Sequence, residues 1–500
     1  MPSQTPAQIG TLNEAARLIN EGRPAEALAL LDRPATAPSP QLLSIRGVAL
    51  AQLGRLDQAL QSASRATQEA PDWAEGQSNF GQVLQAAGQL TEAEAAFARA
   101  VQLEPRHGVA TLNLGCLVAR AGRLPAAIEL FSRAATLLPE HPAARYNWAL
   151  ALQQSGQPEA ALAQFQAILQ RHPDHAEAAN QAAAILMAGL RHEEAVALLD
   201  RLIALQPRHA RSYNNRGTAL RALGRSAEAL DSYRRAAALR PDHADAWRNL
   251  GLLAADQGLV EEAREAFRRA LETKPDDPVA RHMLDATEGR TTAAPPREYV
   301  ARSFDAFADA FDSQLESLGY RVPAAMVELA EALRPGRGFE RALDLGCGTG
   351  LVAAAFGPRV ADWTGVDLSP RMLGRAAEGG AYARLAEADA VDFLAAAPGA
   401  YELVTAADML IYLGDLAPLF AAVGRHLAPG GLFLCSIERN ADGADRRLTS
   451  SGRYAHGDGY IERLAGLSNL TVLRALPTTL RQEHRLAVEG MLFALGPATG

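Results

Sequence analysis

The chain has 500 residues and a formal net charge of −8, with three widely separated cysteines. This length exceeds one compact domain, and an acidic chain without basic clusters argues against a nucleic-acid partner. No apolar run reaches membrane-spanning length, the N-terminus lacks a signal-peptide pattern, and the cysteines show no metal-ligand spacing, so we expect a cytoplasmic protein with reduced thiols, no metal and no membrane partner.

A repeat of thirty-four residues occupies the first part of the chain. The prolines that mark it are Pro71, Pro105, Pro139, Pro173, Pro207, Pro241 and Pro275. A small residue stands twenty-four positions before each proline. Between the two come an alanine and usually a larger apolar residue, as in Gly81, Ala93 and Phe97 before Pro105. Small residues let two helices approach closely, the large side chain fills the space between units, and proline ends the second helix.

This pattern resembles the tetratricopeptide repeat, in which each unit is a pair of antiparallel helices. The resemblance implies an all-α superhelix over residues 7–290. We expect one degenerate unit at 7–39, seven units from 40 to 277, and a solvating cap helix at 278–290, because stacked arrays need polar ends.

A primary amide recurs at one position of the first helix in most units. The asparagines at that position are Asn79, Asn113, Asn147, Asn215 and Asn249. First helices line the concave face of such a superhelix, and the amides resemble the ladder with which repeat-containing protein glycosyltransferases hold an extended peptide. These residues therefore predict a peptide-binding groove, with the alternative that each asparagine only bonds a neighbouring helix.

The helical repeat stops after residue 286, and residues 291–298 have the composition of a linker. From residue 299, short apolar runs alternate with helical segments. We predict strands near 341–345, 362–366, 383–387, 401–406, 431–437, 470–480 and 489–495. Such alternation indicates an α/β domain over 299–500, with a parallel sheet covered by helices on both faces. The last two strands should form an antiparallel hairpin with its turn at Glu483.

Three segments carry residues suited to a nucleoside site. The first strand ends in RALDLGCGTG, with Asp344, Gly346, Gly348 and Gly350 at alternate positions. A glycine-rich turn between strand and helix lets backbone approach a ligand. The dinucleotide fingerprint fails, because Leu351 stands where its third glycine would be.

The next two strands end in GVDLSPRML and EADAVDF, which supply Asp367 and Asp389. Together with the glycine turn they resemble the motifs of class I S-adenosylmethionine-dependent methyltransferases. The resemblance implies a Rossmann-like seven-stranded sheet and S-adenosylmethionine as cofactor. Taken singly, both acids are commonly helix caps.

The same resemblance implies roles for individual residues. Asp367 would accept the ribose hydroxyls, and Asp389 would accept the adenine amino group. The remaining cofactor contacts would come from the glycine turn with Asp344, from Leu368 and Met372, and from the backbone of Ala390.

A predicted leading helix at 299–323 carries an apolar stripe that includes Phe304, Phe307, Phe311, Leu315 and Leu318. Related methyltransferases use such a helix as a lid, so that Tyr299, Phe304 and Tyr320 would contact cofactor or substrate. The alternative is ordinary core packing.

Methyl transfer needs a base only when the acceptor must lose a proton. Asp408 and Tyr412 follow the fourth strand, and His456 and Tyr460 lie beyond the fifth, so these four are the catalytic candidates. The segment 439–455 is polar and rich in helix breakers, which predicts a mobile loop over the acceptor. The fourth strand lacks the Asn/Asp-Pro-Pro-aromatic motif typical of methyltransferases acting on nucleic-acid amines.

These observations favour a methyltransferase whose repeat array recruits a peptide or protein acceptor. A second hypothesis is a small-molecule acceptor, with the array docking the enzyme to a complex. A third is a scaffold with a decayed methyltransferase fold, against which the intact motif residues count.

Overall fold

The computed structural model describes residues 6–33, 39–309, 311–397, 399–483 and 486–498. By compactness the chain divides into residues 1–229 and 230–500. The first unit is helical, and the second joins the last repeat helices to an α/β sheet. No helix among the described residues is long and apolar enough to cross a membrane. The predicted fold class, a repeat array followed by an α/β domain, is confirmed.

Helices that follow one another in pairs continue to residue 287. Their bounds are α1 (Pro6–Asn20), α2 (Pro24–Leu31), α3 (Pro40–Gln52), α4 (Leu56–Glu69), α5 (Ala74–Ala86), α6 (Leu90–Leu103), α7 (Gly108–Arg120), α8 (Leu124–Leu137), α9 (Pro142–Gln154), α10 (Pro158–Arg171), α11 (Ala176–Ala188), α12 (His192–Leu205), α13 (Ala210–Ala222), α14 (Ser226–Leu239), α15 (Ala244–Asp256), α16 (Val260–Thr273) and α17 (Pro278–Thr287).

The repeated glycine and phenylalanine form one contact inside each unit that has both. A Cβ placed on Gly81 would lie 2.8 Å from the ring of Phe97, and one on Gly115 would lie 2.8 Å from the ring of Phe131. Both rings are buried. The small residue is therefore required because the ring of the second helix occupies the space of a side chain on the first.

The repeated asparagines are half-buried, and three of them bond the first helix of the preceding unit. The bonds are Asn79 Nδ2 to Ser44 Oγ at 3.0 Å, Asn147 Nδ2 to Cys116 Sγ at 3.3 Å and Asn215 Nδ2 to Asn180 Oδ1 at 2.8 Å. This is the bonding that the helix-bridging alternative expects, and the peptide groove stays a prediction.

Within the described residues, the second unit contains a nine-stranded sheet. Its strands are β1 (Phe339–Leu345), β2 (Val360–Asp367), β3 (Arg384–Glu387), β4 (Tyr401–Ala406), β5 (Leu427–Arg439), β6 (Arg446–Leu448), β7 (Tyr454–His456), β8 (Leu470–Glu483) and β9 (Leu486–Pro497). The five strands β3-β2-β1-β4-β5 are parallel, and β9 pairs antiparallel with β5 and β8.

Helices cover both faces of this sheet. They are α18 (Arg297–Phe307), α19 (Phe311–Ser317), α20 (Val322–Leu333), α21 (Leu351–Phe356), α22 (Pro370–Gly379), α23 (Ala390–Ala396), α24 (Ala417–His426) and α25 (Asp458–Leu467), with 3₁₀ turns at Gly357–Arg359 and Leu410–Tyr412. Val404 and Phe433 are paired in register and belong to the core under α23–α25, whereas the adjacent pair Leu403 and Leu432 belongs to the core under α20 and α21. Because successive side chains of a strand point to opposite faces, each buried parallel strand contributes to the cores on both faces of the sheet.

Three expectations about local structure are corrected. Residues 446–448 and 454–456 form the antiparallel pair β6–β7 instead of belonging to a mobile loop. The predicted leading helix is broken into α18 and α19. The predicted solvating cap is α17, and its Ala286 is buried against Leu448 and Tyr454 of β6–β7. A cap helix needs a polar outer face only where water covers it, and here the β-hairpin covers part of it.

We predict that Asn79→Ala lowers the free energy of unfolding by about 1 kcal/mol, because the fully buried Ser44 loses its amide donor. Gln85→Ala, an exposed position on the same helix α5, should change it by less than about 0.5 kcal/mol. Urea denaturation followed by helical circular dichroism compares the two variants. Equal stabilities would remove the helix-bridging role and favour the peptide groove.

Candidate functional site

A cavity of about 650 Å³ lies at the carboxyl ends of β1, β2 and β4. Ligand sites of open parallel sheets occupy this edge, and the volume suits a nucleoside-sized ligand. The walls that concern the predicted site are formed by Phe304, Phe311, Leu315, Leu318, Tyr320, Gly346, Gly348, Asp367, Leu368, Asp389, Ala390, Asp408, Tyr412, Arg453 and Arg481.

The turn after β1 has the backbone that its glycines allow. Gly346, Gly348 and Gly350 have φ angles of 68°, 54° and 96°, which lie in the left-handed region that favours glycine. A Cβ on Gly346 would also lie 2.6 Å from Cγ of Met409. Gly346 and Gly348 line the cavity, so backbone atoms of this turn are within reach of a ligand.

Asp367, the last residue of β2, is held by backbone donors and still faces the cavity. Gly348 N–H donates to Oδ2 at 2.9 Å, and Ser369 N–H donates to Oδ1 at 2.8 Å. Burial raises the pKa of this carboxyl. A carboxylate offers about four acceptor positions, which these backbone donors do not exhaust, so Asp367 fits the predicted contact to ribose hydroxyls.

The other motif acid, Asp344, lies beneath the turn and does not line the cavity. It is fully buried, and it accepts the Thr405 hydroxyl at Oδ1 and the Tyr382 hydroxyl at Oδ2, both at 2.7 Å. Burial raises its pKa to about 6. Its carboxylate joins β1 to β4 and to the residues before β3, which fixes the base of the glycine turn.

Asp389 caps the helix α23 and also lines the cavity. Its Oδ1 accepts N–H groups of Val391 and Asp392 at 2.9 and 3.2 Å, which caps α23. Its Oδ2 lies 3.3 Å from Nη2 of Arg297, and the residue lines the cavity with Ala390. The side chain that caps α23 is therefore also an acidic side chain of the cavity wall.

Helices α18 and α19 place their apolar stripe on the cavity. Phe304 contacts the rings of Tyr412 and Phe311 edge to face, with centroids 5.2 and 6.0 Å apart, and Leu315 and Leu318 lie in the same wall. The side chain of Phe307 lies outside the described residues. The apolar periodicity here marks a cavity wall, and the lid over cofactor and acceptor stays a prediction.

Polar residues of α18 and α19 attach these helices to the loops at the carboxyl ends of β1 and β2. Thr349 donates to Asp312 and Ser369 donates to Asp305, both through their hydroxyls. The two helices are thereby fixed to the glycine turn and to the start of α22.

A buried ionic cluster forms the other end of the cavity. Asp408 has a φ of 52°, an uncommon conformation for a non-glycine residue. Its Oδ1 accepts the Ser436 hydroxyl at 2.9 Å, and its Oδ2 lies 2.9 Å from Nη1 of Arg481. Arg481 also bonds Glu438, which lies 3.3 Å from Arg453. Burial raises the pKa of Asp408 in spite of Arg481.

Sequence reasoning missed Arg481, which is 5% exposed. The adjacent Leu480 is also buried, although neighbouring strand residues normally point to opposite faces. The pairing of β8 with β9 shifts register between Thr479 and Arg481, and such bulges re-aim side chains next to active sites. The strand β8 also carries Arg474, which is exposed, so the residue type alone did not single out Arg481.

Several predicted site residues lie outside the cavity. Met372 is a fully buried residue of α22, Gly350 caps α21, and the Tyr299 hydroxyl contacts Met283 Sδ at 3.9 Å. His456 is fully buried, with Nε2 2.9 Å from the Leu413 carbonyl.

Tyr460 also lies outside the cavity. Its hydroxyl bonds Asp415 and the Leu416 N–H. Burial lowers the pKa of His456 to about 4, so its ring is neutral near pH 7. Asp408 and Tyr412 are the catalytic candidates that the fold brings to the cavity.

Two family descriptions match this chain. The description "Tetratricopeptide repeat" matches residues 12–72, 79–142, 146–210 and 214–278, and "Methyltransferase domain" matches residues 311–473. The predicted repeat family is confirmed, and so is the predicted presence of a methyltransferase domain, which matches residues 311–473.

Curated relatives match only part of the chain. A ubiquinone biosynthesis O-methyltransferase from Thiobacillus denitrificans is 36% identical over 107 residues, which are 20% of this chain and 46% of the relative. A biotin biosynthesis bifunctional protein from Bordetella avium is 33% identical over 139 residues, 27% of this chain and 29% of the relative. The chain thus spans less than half the length of either relative.

Solved structures also resemble parts of the chain. A tetratricopeptide repeat protein from Parabacteroides merdae is 20% identical, with a TM-score of 0.37, over 50% of this chain and 98% of that chain. An S-adenosylmethionine-dependent methyltransferase from Clostridium acetobutylicum is 20% identical, with a TM-score of 0.31, over 39% of this chain and 100% of that chain.

We predict that Asp367→Ala weakens binding of S-adenosylhomocysteine roughly five- to a hundredfold, because a buried hydroxyl of the ligand would lose its acceptor. Asp362→Ala, at an exposed position of the same strand, should bind like the wild type. Isothermal calorimetry measures both affinities, and circular dichroism checks that both variants are folded. Unchanged affinity in folded Asp367→Ala would remove this residue from the cofactor site.

Proposed function

Because the chain belongs to the tetratricopeptide repeat family and carries a methyltransferase domain, we propose that it transfers the methyl group of S-adenosylmethionine to an acceptor entering the 650 Å³ cavity. The observation that carries this proposal is the convergence of the glycine turn, Asp367 and Asp389 on one side of a cavity whose other side holds Asp408 and Tyr412. We further propose that the array recruits a peptide or protein bearing the acceptor.

The cofactor side of the cavity is suited to hold the adenosyl group. Asp367 would accept ribose hydroxyls, Asp389 the adenine amino group, and the backbone of Gly346 and Gly348 would approach the ligand closely. When bound, S-adenosylmethionine supplies a sulfonium-linked methyl group whose transfer leaves a neutral thioether. The protein then has two tasks, which are to align the acceptor and to exclude water.

Lid and ionic cluster fit these two tasks. Phe304, Phe311 and Tyr412 form an aromatic wall, which would exclude water when a ligand fills the cavity. The raised pKa of Asp408 brings this carboxylate closer to the range in which it can take a proton from an acceptor hydroxyl or amine. Arg481 and Ser436 hold the Asp408 carboxylate in place.

We predict that Asp408→Asn lowers kcat by roughly a hundredfold or more, because general-base catalysis contributes about 10²–10⁴. Tyr412→Phe keeps the ring contact with Phe304 and should lower kcat less. Affinity for S-adenosylhomocysteine, measured by calorimetry, should stay within about threefold of the wild type in both variants. A kcat for Asp408→Asn near that of the wild type would show that the acceptor loses no proton to this residue.

The array supports a macromolecular acceptor because repeat arrays of this kind commonly bind peptides in their concave face. A second candidate, a free small-molecule acceptor, is favoured by the relatives, whose names refer to ubiquinone and biotin biosynthesis. The size of the cavity accommodates either a side chain or a small molecule.

Methyl-labelled S-adenosylmethionine distinguishes the two candidates. The full chain is incubated with labelled cofactor and an extract of the source organism, and label is measured in the protein and small-molecule fractions. We expect label in protein with the wild type, and less label with Asp367→Ala at a cofactor concentration below that needed to saturate the variant. Label confined to small molecules would establish the second candidate, and no transfer at all would contradict methyltransferase activity.

A further inference from the structure

One wall of the cavity comes from outside the segment that matches the methyltransferase family. Residues 291–297, which we name the strap, precede the matched residues 311–473. Ala293, Ala294, Pro295 and Arg297 of the strap line the cavity. Residues 291–296 have neither helix nor strand structure, so the strap depends on side-chain and backbone contacts for its position.

On the acceptor side, the strap bonds the segment that follows the 3₁₀ turn. The Ala293 carbonyl accepts the N–H groups of Gly414 and Asp415, both at 2.9 Å. These donors lie next to Tyr412 and Leu413 in the cavity wall. The Leu448 N–H donates to the Thr291 hydroxyl at 3.2 Å, which attaches the strap to β6 as well.

A chain of hydrogen bonds connects the strap to α17. The hydroxyls of Tyr454 and Thr292 are 2.6 Å apart, Thr292 Oγ1 lies 3.4 Å from His282 Nδ1, and His282 Nε2 lies 3.1 Å from the Gly452 carbonyl. One set of donors satisfies every group. His282 donates from Nε2 to Gly452, accepts at Nδ1 from Thr292, and Thr292 accepts from Tyr454.

The far end of the strap contacts the cofactor side. Arg297 lies 3.3 Å from Oδ2 of Asp389 and 2.8 Å from Oδ2 of Asp392. Arg297 is 61% exposed, so this ion pair by itself contributes little energy. The ion pair matters for geometry, because it joins the end of the strap to Asp389, the acid predicted to contact adenine.

We propose that α17, the last helix of the array, positions the wall of the methyl-transfer cavity through the strap. Docking of α17 on β6–β7 holds Thr292, and the strap then covers the acceptor side and holds Asp389. Ligand binding in the cavity and docking of α17 are therefore linked, and by reciprocity each stabilises the other. The identity of the ligand rests on the proposed function, whereas the positioning of the strap does not.

Gly414→Ala tests the strap directly. A Cβ on Gly414 would lie 2.4 Å from the Thr292 carbonyl oxygen, 2.6 Å from the Tyr454 ring and 2.8 Å from the Ala293 carbonyl oxygen. Its φ is outside the left-handed region, so the added methyl group acts through this clash alone. Gly466→Ala is the matched control, because a Cβ there meets no atom within 4 Å.

Hydrogen–deuterium exchange of the full chain measures how well the strap and α17 are held. With Gly414→Ala we expect exchange in residues 282–297 to accelerate at least about tenfold, and affinity for S-adenosylhomocysteine to fall roughly threefold to thirtyfold, as expected for one or two lost hydrogen bonds. Gly466→Ala should match the wild type. Adding S-adenosylhomocysteine to the wild type should slow exchange in both the strap and α17.

Two results would overturn the proposal. One is unchanged exchange in α17 when Gly414→Ala accelerates exchange in the strap, and the other is a displaced strap with wild-type affinity for the ligand. If Gly414→Ala does not fold, Thr292→Val replaces it, and Thr292→Ser should restore slow exchange because it keeps the hydroxyl. A wild-type chain that does not bind S-adenosylhomocysteine would contradict the proposed function, while the exchange of the ligand-free variants would still decide the strap.

Discussion

The carboxylate of Asp367 is the contact on which the geometry of the cofactor side depends. It accepts one N–H from the turn after β1 and one from the start of α22, so a single side chain sets the distance between two loops. Asp344 supports the same turn from below through Thr405 and Tyr382. Asp344 therefore bonds only neighbouring elements of the fold among the contacts described, whereas Asp367 also faces the cavity.

The opposite end of the cavity shows how buried charge is tolerated. Asp408, Glu438, Arg453 and Arg481 form two acid–base pairs in one cluster, and unpaired charges at this depth would be strongly destabilising. Arg481 reaches this position from the terminal hairpin. The hairpin is thus part of the site, because it carries the counter-ion of the catalytic candidate.

The array combines two requirements at neighbouring positions of its first helices. Glycine is needed where a phenylalanine ring of the second helix is in contact, as at Gly81. The asparagines bridge consecutive units at Asn79, Asn147 and Asn215. A side chain that bridges units can still present its remaining atoms to a ligand, so these bonds are compatible with the proposed peptide groove.

The sequence by itself determined the features that arise from local pattern. The repeat of thirty-four residues gave the helix pairs, apolar runs gave seven of the strands, and the RALDLGCGTG and GVDLSPRML segments gave the glycine turn and Asp367. Each follows from residues within a few positions of one another, where steric limits and periodicity act directly.

Only the tertiary structure decided which candidates share the cavity. Arg481 meets Asp408 across 73 positions of sequence, and Thr292 meets Tyr454 across 162. His456 and Met372 look as suitable in sequence as Asp408 and Leu368, but the fold buries them away from the cavity. Contacts between distant residues depend on how the layers pack and where a strand bulges, and no local periodicity carries that information.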